Sequence, residues 1–261
     1  MLRSLCIAFS MYSRIPVPHC EWREKDMRYA LCFFPLVGAV LAALLFGWLW
    51  LWEKYSSVWG AGDLVRTVPL LLIPIAVTGG IHLDGFMDTS DALSSFRPLE
   101  KRLEILKDPH IGAFAVISLL LYCAVYLASA SLIRFESCAP WCAGFVLSRI
   151  LSAIAVLCFP CAKKTGSLYT FAKGAARRRV LVLLCVELSV CVAFMLYCSP
   201  LCGLCLVLLA LIVFFYYRVM SVRKFGGITG DLAGWFLCVC ELALTVAQGV
   251  FCAAARGFLE S

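Results

Sequence analysis

The chain has 261 residues, 63% of them apolar and 15% charged, with a mean hydropathy of +0.93. A soluble domain is nearer half apolar and a quarter charged, so the excess has to face lipid: at roughly 20 residues per crossing it supports six to eight membrane-spanning helices, and its long continuous runs exclude an outer-membrane barrel. The net charge of +7 does not imply nucleic acid, because most of the 23 basic residues stand in short connections between apolar runs, where membrane topology accounts for them.

In chain order, Leu2, Leu5, Cys6 and Phe9 recur at helical spacing over residues 1–12. That stretch is too short to cross and predicts an amphipathic or re-entrant helix on the membrane surface. Arg14 and two prolines follow it without a small-residue cleavage pattern, which argues against a removed leader. A charged stretch opening at Glu21 leads into a first span over 31–52, closed by interfacial tryptophans. A second run, 68–81, carries Pro69 and Pro74, ends in Gly79-Gly80 and predicts a short or broken span, with a start further back near Leu64 as the alternative. Later spans are predicted at 111–133, 138–162, 180–199, 201–217 and 232–255. With no internal repeat or linker, the expectation is one all-α, polytopic membrane domain over 1–261, with about seven transmembrane helices and amphipathic interfacial helices.

With seven spans, the N-terminus and the connections at 82–110, 163–179 and 218–231 share a face and hold most of the Lys and Arg. The positive-inside bias puts that face in the cytoplasm and the C-terminus outside. The 16 cysteines are scattered through apolar runs as small hydrophobes. The two CxxC pairs, Cys158 with Cys161 and Cys202 with Cys205, lack a nearby histidine and read as packing, not zinc or redox chemistry. A disulfide involving Cys138 or Cys198 stays open.

The most informative stretch runs from Gly79 to Ala92. Asp84, Asp88 and Asp91, spaced i, i+4, i+7, fall within about 60° of one helix face. A merely solvated acidic face would intersperse lysines, yet the next basic residue is Arg97. Clustered carboxylates beside a membrane suit a hard divalent cation such as Mg²⁺, which shares them with water and phosphate oxygens. His82 points away from that face if the helix includes it, and reaches the site if it precedes the helix; acid–base work and a hydrogen-bonded interfacial role both remain.

Residues 98–107 form an amphipathic surface helix. Asp108-Pro109 reads equally as the cap of the next span or as a ligand, and Lys107 as a phosphate contact or a snorkelling residue. The turn Gly226-Gly227-Ile228-Thr229-Gly230-Asp231 opens the last span, where backbone N–H groups can meet a phosphate; Asp231 is alternatively a helix cap. Arg149, Glu187 and Glu241 are intramembrane charges that form a structural pair or face a cavity. The basic run of Lys163, Lys164, Lys173 and 177–179 reads first as topological anchoring and second as attraction of an anionic substrate.

On these residues the sequence resembles the cobalamin synthase family, the adenosylcobinamide-GDP ribazoletransferases. The resemblance runs nearly end to end: Ser13-Arg14-Ile15-Pro16-Val17-Pro18, Phe34-Pro35-Leu36-Val37-Gly38, the His-x-Asp-Gly-x-x-Asp-Thr-x-Asp core at 82–91, Lys107-Asp108 with Ile111-Gly112-Ala113-Phe114, Ser148-Arg149, and Gly226 to Asp231. Leu83 stands where many members are acidic and His110 where the family often has arginine.

The resemblance implies transfer of the adenosylcobinamide phosphate moiety from its GDP ester to α-ribazole or its 5′-phosphate, with GMP leaving. It implies Mg²⁺ on Asp84, Asp88 and Asp91, catalysis by these and His82, and substrate contacts from Arg14, Lys107, Arg149, Gly226, Gly227, Thr229, Gly230 and Asp231. The setting is an inner membrane with the site facing the cytoplasm, partners being the two substrates and lipid, no nucleic acid, with room for a homo-oligomer. Two other readings are weighed. A CDP-alcohol phosphotransferase would need an Asp-Gly-x-x-Ala-Arg element that is missing here. A cation-coupled transporter would place its ionisable groups near mid-membrane, not at a boundary.

Overall fold

The structure is a computed structural model and describes residues 1–18, 23–59, 62–163 and 166–259; Glu21 and Lys164 lie outside them. Among the described residues there is no strand, only one isolated backbone bridge between Cys161 and Ile228.

Helix α1 (Leu2–Tyr12) is the expected short helix, burying Cys6, Ile7 and Ala8 and leaving Leu2 exposed. After the single turn α2 (Glu24–Met27), α3 (Phe34–Trp59) is the first long apolar helix. It runs past the expected end near residue 52 because neither glycine nor proline follows Trp52 within it to stop it.

Helix α4 (Asp63–Thr78) contains both prolines. Pro74 cannot donate to the Leu70 carbonyl, and the Tyr126 hydroxyl donates to it instead at 3.1 Å, so the interruption is satisfied by a neighbouring helix. Gly79 and Gly80, at φ +67° and +81°, take the left-handed conformation that a side chain disfavours, and the chain turns through 96° into α5 (Ile81–Ser94). The predicted broken span is thus an apolar arm, α4, joined to a polar arm, α5.

Then come α6 (Leu99–Ile105), α7 (Ala113–Ala130), α8 (Ala139–Cys158), α9 (Ser167–Gly174), α10 (Arg177–Cys198), α11 (Pro200–Phe225) and α12 (Gly230–Leu259). Six of these helices, α3, α7, α8, α10, α11 and α12, are long and apolar enough to cross a membrane, and the bent α4–α5 pair brings the number to seven. Helix α8 is the most buried and packs on α3, α10, α11 and α12. Its small and polar residues, including Ser148, Arg149 and Ser152, therefore face protein.

Contacts at the two ends sort the connections as seven crossings require. At one end the Ala176 N–H donates to the Arg28 carbonyl, the Arg14 N–H to the Val77 carbonyl, and the Ile228 N–H to the Pro160 carbonyl; Arg102 of α6 reaches the Lys224 carbonyl. At the other, the Arg66 guanidinium donates to the carbonyls of Ser131 and Ile133, and Gln248 donates to the Ser137 carbonyl. The described basic connections thus gather at one end, and the 131–137 connection and the late turns of α12 at the other. Cys138 and Cys198 are both free thiols.

Candidate active site

Helix α5 lies against the first turns of α12. A Cβ at Gly85 would strike the Asp231 backbone, and one at Gly234 would strike the His82 backbone, so the two helices run antiparallel and nearly touch. This approach brings Asp231 to the acidic stripe. The Asp88 carboxylate feels the charges of Asp84, Asp231 and Asp91, which makes the cluster four carboxylates drawn from two helices. Asp231 is not the α12 cap: Thr229 is, its hydroxyl accepting from the Leu232 N–H at 3.2 Å and donating to Asp231 Oδ2 at 3.4 Å, which leaves the second carboxylate oxygen for the cluster.

Around this cluster the structure sets small and basic groups. The Asp91 carboxylate lies over Gly112, just before α7, where any side chain would displace it. The stem of Arg14 crosses Gly79 in the same way, leaving its exposed guanidinium beside the α4–α5 bend. Lys163, in the connection after α8, is acted on by both Lys107 and Asp231. Partial burial and the Lys107 charge push its ammonium below the ordinary lysine value, while Asp231 pulls it up. Sequence reading did not single out Lys163 from its basic run, which looks first like anchoring, because the carboxylate opposite it comes from a helix 68 positions on.

His82 lies inside α5, so it turns away from the acidic stripe as helical periodicity requires. It is 8% exposed, its ring meets Phe34 edge-on at 6.1 Å, and its Nε2 is buried without a hydrogen-bond partner among the described residues. It lines a cavity of 190 Å³ that Asp84, Gly230 and Asp231 also border. The predicted residues Asp84, Asp88, Asp91, Asp231, Gly230, His82, Arg14 and Lys107 thus gather around one end of the α5–α12 contact.

Three expectations change. Arg149 is fully buried in the bundle, where it pairs with Glu241, donates to Ser148 Oγ at 2.9 Å and to the Phe145 carbonyl at 3.2 Å. The intramembrane charge is therefore a structural pair, not an open substrate contact; Glu187 stands apart in a groove between α3, α8 and α10. Asp108 does not cap α7, which starts beyond Gly112. It accepts instead from the His110 N–H at 3.0 Å and from the His110 ring at 2.6 Å, which hold its carboxyl below the usual range. Gly226, at φ +75°, ends α11, and Gly227 packs against the backbone of 160–162. The close approach at Gly227 is to the chain itself, and the backbone left open is at Gly230. Gly227→Val is accordingly expected to lower the Tm of the purified protein by several degrees; an unchanged Tm with weakened nucleotide binding would restore the phosphate-cradle role.

No three His, Cys, Asp or Glu side chains among the described residues form a ready-made metal cage. Mg²⁺ does not need one, because it is commonly held by one or two carboxylates together with substrate phosphates and water. An all-oxygen set of mutually repelling carboxylates on α5 and α12 has the chemistry for such an ion.

A family model described as cobalamin-5-phosphate synthase matches residues 4–248. The adenosylcobinamide-GDP ribazoletransferase of Lachnoclostridium phytofermentans is 45% identical, over 95% of this chain and 95% of its own. Proteins of the same name from Pseudomonas fluorescens, 33% identical over 94% and 98%, and from Clostridium botulinum strain Alaska E43, 29% identical over 93% and 95%, match similarly. No solved structure matches.

Proposed function

The chain belongs to the cobalamin-5-phosphate synthase family, and we infer that its reaction is that of the ribazoletransferases it resembles. The adenosylcobinamide phosphate moiety passes from adenosylcobinamide-GDP to a ribose hydroxyl of α-ribazole or its 5′-phosphate, and GMP leaves. The observation that carries this reading into the structure is the convergence of Asp84, Asp88, Asp91 and Asp231 beside Arg14, Lys107 and Lys163.

Such a site is built for a diphosphate. Asp84, Asp88 and Asp91, with Asp231 beside them, would hold Mg²⁺, which when bound neutralises charge on the diphosphate and on the departing GMP. Arg14, Lys107 and Lys163 face phosphate oxygens that the carboxylates alone would repel. The open backbone at Gly230, at the start of α12, meets anions favourably. Asp84 and Asp231 border the cavity from which the acceptor hydroxyl would be presented, so one of them takes its proton. The test is whether purified protein with Mg²⁺ releases GMP from adenosylcobinamide-GDP only when α-ribazole is present. Release without the acceptor, or none with it, would overturn the reading.

The site opens toward the cytoplasm of a multi-pass inner-membrane protein. The clustering of basic connections at the same end as the acidic site supports this orientation. Reporter fusions are expected to place residues 82–110, 163–179 and 218–231 inside and the C-terminus outside. A cytoplasmic C-terminus would mean an even number of crossings, against the sorting of the connections between the two ends.

A further inference from the structure

The 190 Å³ cavity that shares Asp84 and Asp231 with the acidic cluster lies between α1, the start of α3, α5, α8, α9 and α12. Asp84, Gly230 and Asp231 border it, His82 and Ser152 are its other polar groups, and the remaining walls are aromatic and aliphatic, with Met11, Leu31, Val156, Phe171 and Leu237 among them. Tyr12 and Phe34 pack with ring centroids 4.1 Å apart, and Phe34 meets the edge of His82, which makes one continuous aromatic wall. Within that wall His82 Nε2 is buried with no hydrogen-bond partner among the described residues. A buried polar atom without a partner is unfavourable unless something supplies one.

The chemistry selects among the ring systems that this reaction brings together. Guanine and the adenine of the adenosyl group each carry an exocyclic amine and several ring nitrogens, more polar atoms than His82 and Ser152 can pair within the cavity. A corrin macrocycle is too large for 190 Å³, whereas an apolar cavity of about 150 Å³ admits a benzene ring, so a small fused ring system is of the right scale. A benzimidazole base is flat and apolar, and once ribosylated it keeps a single free ring nitrogen, an acceptor.

We propose that this cavity is the subsite for the fused heteroaromatic base of the nucleoside acceptor, with the Tyr12–Phe34 wall packing on the ring and the His82 ring, whose Nε2 is enclosed in this structure, turning to donate Nε2–H to the base's free ring nitrogen as the base enters. The proposal rests on the transferase reading above. It gives His82 a role in binding and orienting the acceptor, not in moving its proton. Seating the base inward holds the attached ribose at the border where Asp84 and Asp231 stand, so the hydroxyl meets the diphosphate already oriented. Helices α1 and α9 close the cavity, since Phe171 of α9 packs with Ile7 of α1 and Ala30 in a cluster flanked by Met11 and Met27. That assigns the short amphipathic elements at this end a share in acceptor recognition.

The test is steady-state kinetics on the full-length purified protein, with the two substrates varied independently. Val156→Phe fills the cavity from α8 and is expected to raise the KM for α-ribazole about tenfold or more, leaving that for adenosylcobinamide-GDP within about twofold. His82→Phe is expected to abolish the wild-type preference for the benzimidazole nucleoside over an indole nucleoside, which lacks the ring nitrogen. If Val156→Phe fails to fold, Ser152→Leu narrows the same space and is read the same way. Turnover with an unmoved α-ribazole KM, or a rise confined to adenosylcobinamide-GDP, would overturn the subsite alone. Absence of GMP release by the wild type would instead sink the transferase reading from which it starts.

Discussion

Asn in place of Asp84, Asp88 or Asp91 is expected to lower turnover by at least about a hundredfold while the protein still inserts and folds, and Asp231→Asn is expected to join them. The Asp88 carboxylate stands in the field of Asp84 and Asp91 on its own helix and of Asp231 across the α5–α12 contact. Neutralising one therefore relieves repulsion in the folded protein even as it removes an oxygen donor for the cation. Function and stability should move in opposite directions: a lower kcat, a weaker dependence on Mg²⁺ and an unchanged or higher Tm. Normal activity in all the single variants would remove the metal assignment. Normal activity in Asp231→Asn alone would return that residue to the first turn of α12 as an ordinary helix-terminal acid. Measuring GMP release across a Mg²⁺ titration on each variant separates these outcomes.

Removing one partner of the buried Arg149–Glu241 pair is expected to be the most damaging change outside the site. Arg149 is 0% and Glu241 5% exposed, and the pair links α8 to α12 through the middle of the bundle. Glu241→Ala leaves a guanidinium without a counter-charge, a situation that costs about 3–5 kcal/mol when a buried pair is broken. Replacing both, Arg149→Met with Glu241→Leu, leaves nothing uncompensated and is expected to recover most of the stability. Thermal unfolding checks the first statement, and turnover of the double variant checks a second. If the double variant folds and still makes product, Arg149 serves the bundle; if it folds and kcat is lost, the arginine acts on substrate after all.

Much of this was legible in the sequence because it depends on local pattern. Continuous apolar runs can only be helices facing lipid or one another, so the spans were found with ends shifted by a few residues. Gly79-Gly80 marked the break, and the i, i+4, i+7 spacing put three aspartates on one face before any packing was known. The family followed from the 82–91 core and the motifs around it. Periodicity also separated His82 from the acidic stripe once α5 was known to begin at Ile81.

What the tertiary structure decided are the relations between residues distant in sequence, which no local spacing encodes. Asp231 became the fourth carboxylate only because glycines at 85 and 234 let α12 close on α5. Lys163 moved from a topological anchor to a site residue because the connection after α8 folds back toward α12. Arg149 moved the other way, since its partner Glu241 lies 92 positions away on the facing helix. The glycines of the 226–230 turn have the same composition but different neighbours: Gly227 packs on Pro160 and Cys161, and Gly230 stays open. Sequence by itself determined which segments are helices and which residues share a helical face, because hydrophobic burial and 3.6-residue periodicity act along the chain. Only the packed bundle decided which faces meet, because that depends on where small residues allow two backbones to approach and where a charge finds its partner.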